Sequence, residues 1–152
     1  MRTVPITDIQ QGHGPAMVHA STVMAHGSAV VLFGPSGAGK SGLALEMMAL
    51  GAGLVADDRT ILTRDGDRLI ATCPDTIRGR IEARGVGILR ADAVGSAPVT
   101  LFVDMQTPEV DRLPTRRVVT VFGLHIPLLQ KVERGYFAAA LMQYLSKGLD
   151  EE

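Results

Sequence analysis

Gly34-Pro35-Ser36-Gly37-Ala38-Gly39-Lys40-Ser41 is the stretch on which the fold class of this chain turns. The octet satisfies G-x-x-x-x-G-K-[ST] at each fixed position, a pattern that random placement at this composition would produce about 0.004 times. Just before it, Ala29-Val30-Val31-Leu32-Phe33 is an apolar run rich in branched residues and reads as a buried strand. Just after it, Ser41–Leu50 reads as a helix with Leu43, Ala44, Met47 and Met48 on its apolar side and Gly51 placed to stop it. Strand, glycine loop and helix are the parts of a phosphate cradle. Glycines let successive N–H groups turn inward around an anion, and the helix N-terminus adds the positive end of its dipole. Lys40 can then reach the β and γ phosphates of a nucleotide, and the Ser41 hydroxyl can coordinate Mg²⁺.

Working outward, Gly53-Leu54-Val55-Ala56 reads as a second strand ending at Asp57-Asp58. Thr60–Thr63 and Arg68–Ala71 flank Asp65-Gly66 as a hairpin. Asp75 is placed to cap a short helix through Ile81, closed near Gly85. Val99–Val103 and Arg117–Phe122 read as strands, and Tyr136–Lys147 as a terminal helix followed by Gly148. Residues 1–16 read as an N-terminal arm, 17–148 as one domain and 149–152 as a C-terminal tail. The pattern is α/β, a mixed sheet with flanking helices.

A phosphate loop also needs an acid beside it. Two candidates end apolar runs: Asp104 after Leu101-Phe102-Val103, in the manner of a Walker B strand, and the Asp57-Asp58 pair. Neighbouring strand positions point to opposite faces, so one of Asp57 and Asp58 is expected to face the phosphates. Spacing alone leaves both sites open. Asp104 would suit a nucleotide-binding regulatory module or a small-molecule kinase.

Composition narrows the classes. The chain has 152 residues, 15 Lys+Arg against 16 Asp+Glu, and 46% hydrophobic residues, enough for one packed core and without the basic footprint of a nucleic-acid binder. A single cysteine, Cys73, excludes an intrachain disulfide. The charge-free stretch Ile9–Gly39 is interrupted by polar residues and prolines, so neither a membrane span nor a signal peptide is expected, and the default compartment is the cytoplasm.

Together, Ser41 to Asp57, Asp57-Asp58-Arg59 and Ile81-Glu82-Ala83-Arg84-Gly85-Val86-Gly87-Ile88 resemble the catalytic domain of HPr kinase/phosphorylase. That family carries a P-loop, an Asp-Asp-Arg segment and a signature of the form I/L-E-x-R-G-x-G-I. Val18-His19-Ala20 is similar to its upstream histidine segment, and Asp111-Arg112-Leu113 to its downstream Asp-Arg-Leu. The resemblance covers about residues 18–130 and matches short, alpha-proteobacterial-type members without the N-terminal domain.

The resemblance implies a P-loop fold of the HPr kinase/phosphoenolpyruvate carboxykinase-like type. It implies an ATP- and Mg²⁺-dependent kinase that phosphorylates a serine of HPr, or of an HPr-like phosphocarrier of the phosphotransferase system. Asp57 would accept the serine proton and Lys40 would neutralise phosphate charge. Ser41 and Glu82 would hold Mg²⁺, and His19 and Arg112 would lie by the transferring phosphate. Asp58, Arg84, Gly85 and Gly87 would support the site. Ile126–Lys131 is the nearest counterpart of the Pro-Val-x-x-Gly-Arg-Asn stretch of long members but lacks its Gly-Arg-Asn, so at most weak reverse phosphorylase activity is expected. Self-association stays open.

Overall fold

The computed structural model describes residues 1–150; the last two residues of the 149–152 tail lie outside the described residues. The element order is β1 (Ala16–Ala25), β2 (Ser28–Phe33), α1 (Lys40–Ala49), β3 (Gly53–Ala56), β4 (Arg59–Asp65), β5 (Arg68–Thr72), β6 (Arg80–Ala83), β7 (Gly87–Arg90), β8 (Ser96–Pro108), β9 (Arg117–Val121), β10 (Leu124–Lys131) and α2 (Phe137–Lys147). Eight strands form one mixed sheet in the order β2-β1-β4-β5-β8-β10-β9, with β3 paired to β1. β2 also pairs in parallel with β8, so β1, β2, β8, β5 and β4 close on themselves. The architecture is α/β with a mixed sheet and two helices.

The long strands make this closure possible. The first part of β1 pairs with β4 (Ala16↔Leu62 through His19↔Arg59), while its second part pairs with β2 and β3. β8 meets β5 at its start, β2 through its middle and β10 toward its end. β2 is therefore buried on both faces, which is why its sequence is continuously apolar rather than alternating. Ala29 and Val31 pack with Val18, Leu62, Leu69, Val99 and Phe102 in one core. Val30 and Leu32 pack with Leu43, Met47, Leu54, Leu101, Val103 and Leu141 in the other, under the two helices. Fully burying such side chains stabilises by about 1.5–3 kcal/mol each.

Several sequence expectations change. The N-terminal arm packs on the domain, an anchoring the sequence did not specify: Ile6–Asp8 forms one 3₁₀ turn, Ile6 and Ile9 are buried in the first core, and the Val4 N–H donates to the Met17 carbonyl (2.8 Å). Only Asp75–Ile77 of the helix expected from Asp75 to Ile81 is helical, a single 3₁₀ turn. Arg80–Ala83 is instead a strand paired with Gly87–Arg90, and Gly79 (φ 70°) and Gly85 (φ 88°) supply the left-handed backbone that breaks the helix and turns the hairpin. The strand expected through Phe122 ends at Val121, because Phe122 and Gly123 (φ 50° and 78°) form the two-residue turn into β10. The terminal helix begins at Phe137. Among the described residues, no helix is long and apolar enough to cross a membrane.

Candidate active site

The buried polar residues locate the site. Among the described residues they are Ser21, Thr22, Lys40, Asp57 and Thr60, and they gather where β1, β4 and the glycine loop meet. Desolvating a carboxylate and an ammonium is tolerable only where hydrogen bonds replace the lost water. No buried side-chain N or O in the described chain is left without a partner.

The sheet register puts Asp57 there. Thr22 pairs with Ala56, the last residue of β3, so the next residue of that chain falls beside Ser21. The Ser21 hydroxyl donates to Asp57 Oδ1 at 2.8 Å and accepts the Asp58 N–H at 3.1 Å. The Ser41 hydroxyl donates to the same Oδ1 at 2.5 Å, and the Glu82 backbone N–H donates to Oδ2 at 3.0 Å. Thus Asp57 ties together β1, the start of α1 and the β6–β7 hairpin. Behind it, the Thr22 and Thr60 hydroxyls are bonded at 2.8 Å, and Thr60 donates to the Ala20 carbonyl at 3.0 Å.

Asp58 points the other way. It sits at the centre of a γ-turn, with the Arg59 N–H on the Asp57 carbonyl (2.8 Å) and a left-handed φ of 68°. For a non-glycine residue such a backbone costs of order 1–3 kcal/mol, and strain of this kind clusters at functional sites. The turn sends the Asp58 carboxylate to His19, with Nδ1 3.2 Å from Oδ1, on a half-exposed surface. Arg59 Nε lies 3.9 Å from the other oxygen.

The glycine loop has the backbone its motif demands: Gly34, Gly37 and Gly39 have φ of 149°, 85° and 94°. Gly39 caps α1 without a side-chain hydrogen bond, so the N–H groups of the first turn are free for an anion. The Lys40 ammonium folds back onto the Gly34 and Pro35 carbonyls (2.7 and 2.9 Å). Burial pushes it below the usual lysine range, while the charges of Asp58 and Asp57 pull the other way. Ser36 and Ala38 complete the loop, and the Ala38 N–H returns to the Pro35 carbonyl (3.2 Å).

Of the remaining predicted residues, Glu82 reaches Asp57 through its backbone, while its side chain is on the exposed face of β6, opposite to buried Ile81. Arg84, Gly85 and Gly87 form the exposed turn of the same hairpin, closed by the Val86 N–H on the Ala83 carbonyl (2.9 Å). Arg112 is exposed in the 109–116 connection, and no described hydrogen bond or ion pair joins it to the loop or to Asp57. Asp104 ends the apolar part of β8, beside Phe33, but its Oδ1 accepts the Gln106 N–H (2.9 Å) and the Ser41 hydroxyl is committed to Asp57. A Walker B role for Asp104 with Asp57 remote is therefore not what the chain builds. No cluster of three His, Cys, Asp or Glu side chains among the described residues would hold a metal unaided.

Three residues were not singled out in the sequence. Ser21 looked like a mere interruption of an apolar stretch. Lys131, at the end of β10, donates to the Ala38 carbonyl from across the chain (3.2 Å). Glu109 organises the connection that carries Arg112: Oε1 takes Arg117 at 2.7 Å, and Oε2 accepts the Val110 and Asp111 N–H groups at 3.1 and 3.2 Å. The Arg117 guanidinium holds the Glu109 carboxyl below its usual range.

Residues 13–130 match the family model described as HPr Serine kinase C-terminal domain. An HPr kinase/phosphorylase of Caldanaerobacter subterraneus subsp. tengcongensis is 40% identical over 92 residues, which is 58% of this chain and 30% of that protein. One of Limosilactobacillus reuteri is 34% identical over 123 residues, 72% of this chain and 38% of the relative. The chain thus spans well under half the length of these curated relatives. The Hpr(Ser) kinase/phosphatase structure from Coxiella burnetii superposes with a TM-score of 0.72 at 24% identity, covering 84% of this chain and 91% of that one, which establishes the fold.

Proposed function

The chain belongs to the HPr serine kinase C-terminal domain family, and from that premise we propose that it is an ATP-dependent protein-serine kinase acting on HPr or an HPr-like phosphocarrier, with Asp57 as the proton acceptor. The observation that carries this is the 2.5 Å bond between Ser41 of the loop and Asp57. It sets a carboxylate at the mouth of a phosphate cradle, where a nucleophile would have to arrive. The fold is then of the P-loop, phosphoenolpyruvate carboxykinase-like type, and the chain works in the cytoplasm.

The chemistry follows from counting lone pairs. An ionised carboxylate offers about four acceptor sites. Asp57 has three in use, by Ser21, Ser41 and the Glu82 N–H. One remains for the hydroxyl of an incoming serine. Asp57 takes that proton as the serine oxygen attacks the terminal phosphorus, the bond to the ADP oxygen breaks, and Lys40 with the loop N–H groups holds the equatorial charge.

The donor set fits Mg²⁺, which binds proteins through one or two carboxylates and completes its shell with phosphate oxygens and water. Ser41 donates its proton to Asp57 and so keeps its lone pairs for the ion; Glu82 would supply a carboxylate. The ion would shield the charge between β and γ phosphates. His19, paired with Asp58, and Arg112 would approach the phosphate from the exposed side. The reverse phosphorylase reaction is at most weak.

The test is phosphoserine formation on HPr-type proteins of the host with ATP and Mg²⁺; none formed on any of them would reject the substrate. In Asp57→Asn, nucleotide still binds while transfer falls by about 10²–10⁴, the usual worth of a general base. Unaltered turnover in that variant removes Asp57 from the mechanism.

A further inference from the structure

The chain has three lysines, Lys40, Lys131 and Lys147, and two of them end at the glycine loop. Lys40 belongs to the motif. Lys131 arrives from β10, on the side away from Asp57, and spends one donor on the Ala38 carbonyl at a long 3.2 Å. Two donors of that ammonium remain for a ligand.

A recess lined by α1 and the 131–138 segment flanks the loop on one side. At Gly34 a Cβ would touch Met105 Cβ at 3.4 Å and Ala38 Cβ and the Gln106 nitrogen at 3.5 Å, and at Gly37 it would face open solvent with no wall to hold a ligand. Beyond Ser41 stands the Asp57 network. At Gly39, by contrast, a Cβ would meet only Lys131 Nζ and Met105 Cε, both at 3.9 Å, and at Gly42 it would meet nothing within 4 Å. These two glycines open onto a cavity of about 470 Å³ between α1 and the 131–138 segment. Its volume is within the range of small-molecule sites. Its walls offer Phe137 and Leu43 as apolar surface, Glu46 as an acceptor for hydroxyls, and Lys131 and Arg134 as cations.

We propose that this cavity seats the nucleoside half of a nucleoside triphosphate, and that Lys131 spans from the Ala38 carbonyl to the phosphate nearest the sugar. The inference rests on the nucleotide-kinase function proposed above and adds where the base and ribose lie. The terminal phosphate then points at Asp57, and the triphosphate runs across the loop between two lysines.

The experiment compares ATP with inorganic tripolyphosphate, both with Mg²⁺, by titration calorimetry on the full chain. The tripolyphosphate lacks only the nucleoside and so reports on the intact loop. Gly42→Met fills the cavity from a helical position with open space; ATP affinity falls at least tenfold while tripolyphosphate affinity stays within twofold. Gly42→Ala, too small to fill the space, binds both as the parent chain does. Lys131→Met weakens both ligands about tenfold, and Lys131→Arg restores them. Equal effects of Gly42→Met on the two ligands, whether both weaken or neither does, overturn the placement, and so does a Lys131→Met chain with unchanged affinities. A parent chain that binds neither ligand rejects the nucleotide function itself, and this placement with it.

Discussion

Ser21→Ala is the substitution that most directly questions the Asp57 network. The Ser21 side chain is completely buried. Its hydroxyl makes one bond to a carboxylate at 2.8 Å and accepts one backbone N–H at 3.1 Å. A hydrogen bond to a charged group contributes about 1.5–3 kcal/mol, and a donor left without a partner costs a further 1–3 kcal/mol if water cannot reach it. Asp58 is half exposed, so water replaces part of the second loss. The sum is a destabilisation of about 3 kcal/mol, which in a chain of this length lowers the thermal midpoint by about 6–12 °C. Turnover falls as well, by roughly tenfold, because the Asp57–Asp58 turn loses the group that aims it. Scanning calorimetry and a coupled kinase assay measure the two effects. The control is Thr22→Val, on the opposite face of β1. It removes the bond to Thr60 while Thr60 keeps its bond to the Ala20 carbonyl. That variant loses about 1 kcal/mol and no activity. If Ser21→Ala melts within a degree or two of the parent chain, or if Thr22→Val slows turnover as much, the account of how Asp57 is held is wrong.

Two further outcomes follow from the charged groups. Lys40 is held below its usual value by burial, so folding favours its neutral form and its charge weighs against stability at neutral pH. Lys40→Met therefore abolishes ATP binding by calorimetry with a thermal midpoint that is unchanged or higher; a large drop in midpoint contradicts this. Glu109 has the opposite sign. Its carboxyl is lowered by Arg117, so its contribution is complete above the ordinary carboxylate value near 4.5 and is lost as pH falls through the lowered folded value. Protection of the Val110 and Asp111 amides, as exchange relative to the intrinsic rate at the same pH, is higher above that range and falls below it, whereas in Glu109→Gln, which does not titrate, protection does not change with pH across it; pH-independent protection in the parent chain would refute the pairing.

How far the sequence could be read depended on whether the signal was local. The β2–loop–α1 unit was legible because each part is written in consecutive residues: an apolar run, glycines for left-handed backbone, then helical periodicity. The β4–β5 hairpin was legible from Asp65-Gly66 for the same reason. β1 escaped notice because Ser21 and Thr22 interrupt its apolar pattern, and both are buried at no polar cost only through partners 36 and 38 residues away. β10 contains Pro127, an argument against a central strand. Yet Pro127 pairs with β9 alone, and the pairing with β8 begins at Leu128, so its missing N–H is not needed there. The helix expected from Asp75 through Ile81 runs into the start of β6, because Asp75 and Gly85 look like caps. The cross-chain packing of Ile81 and Leu89 decided otherwise.

By itself, then, the chain's order of residues determined a glycine loop running into a helix, with its lysine and its serine, since those depend on backbone freedom and spacing within one turn of helix. It also supplied the family resemblance through short motifs. The tertiary structure alone decided between Asp57 and Asp104. Both are acids at the ends of apolar strands, and no local rule separates them. The shift in register between Thr22 and Val23 delivers Ala56, and hence Asp57, to Ser21 and Ser41, whereas Asp104 turns to its own strand's Gln106 N–H. Which carboxylate meets the loop is a matter of strand pairing between distant segments, and such pairing is written in no single stretch of the chain.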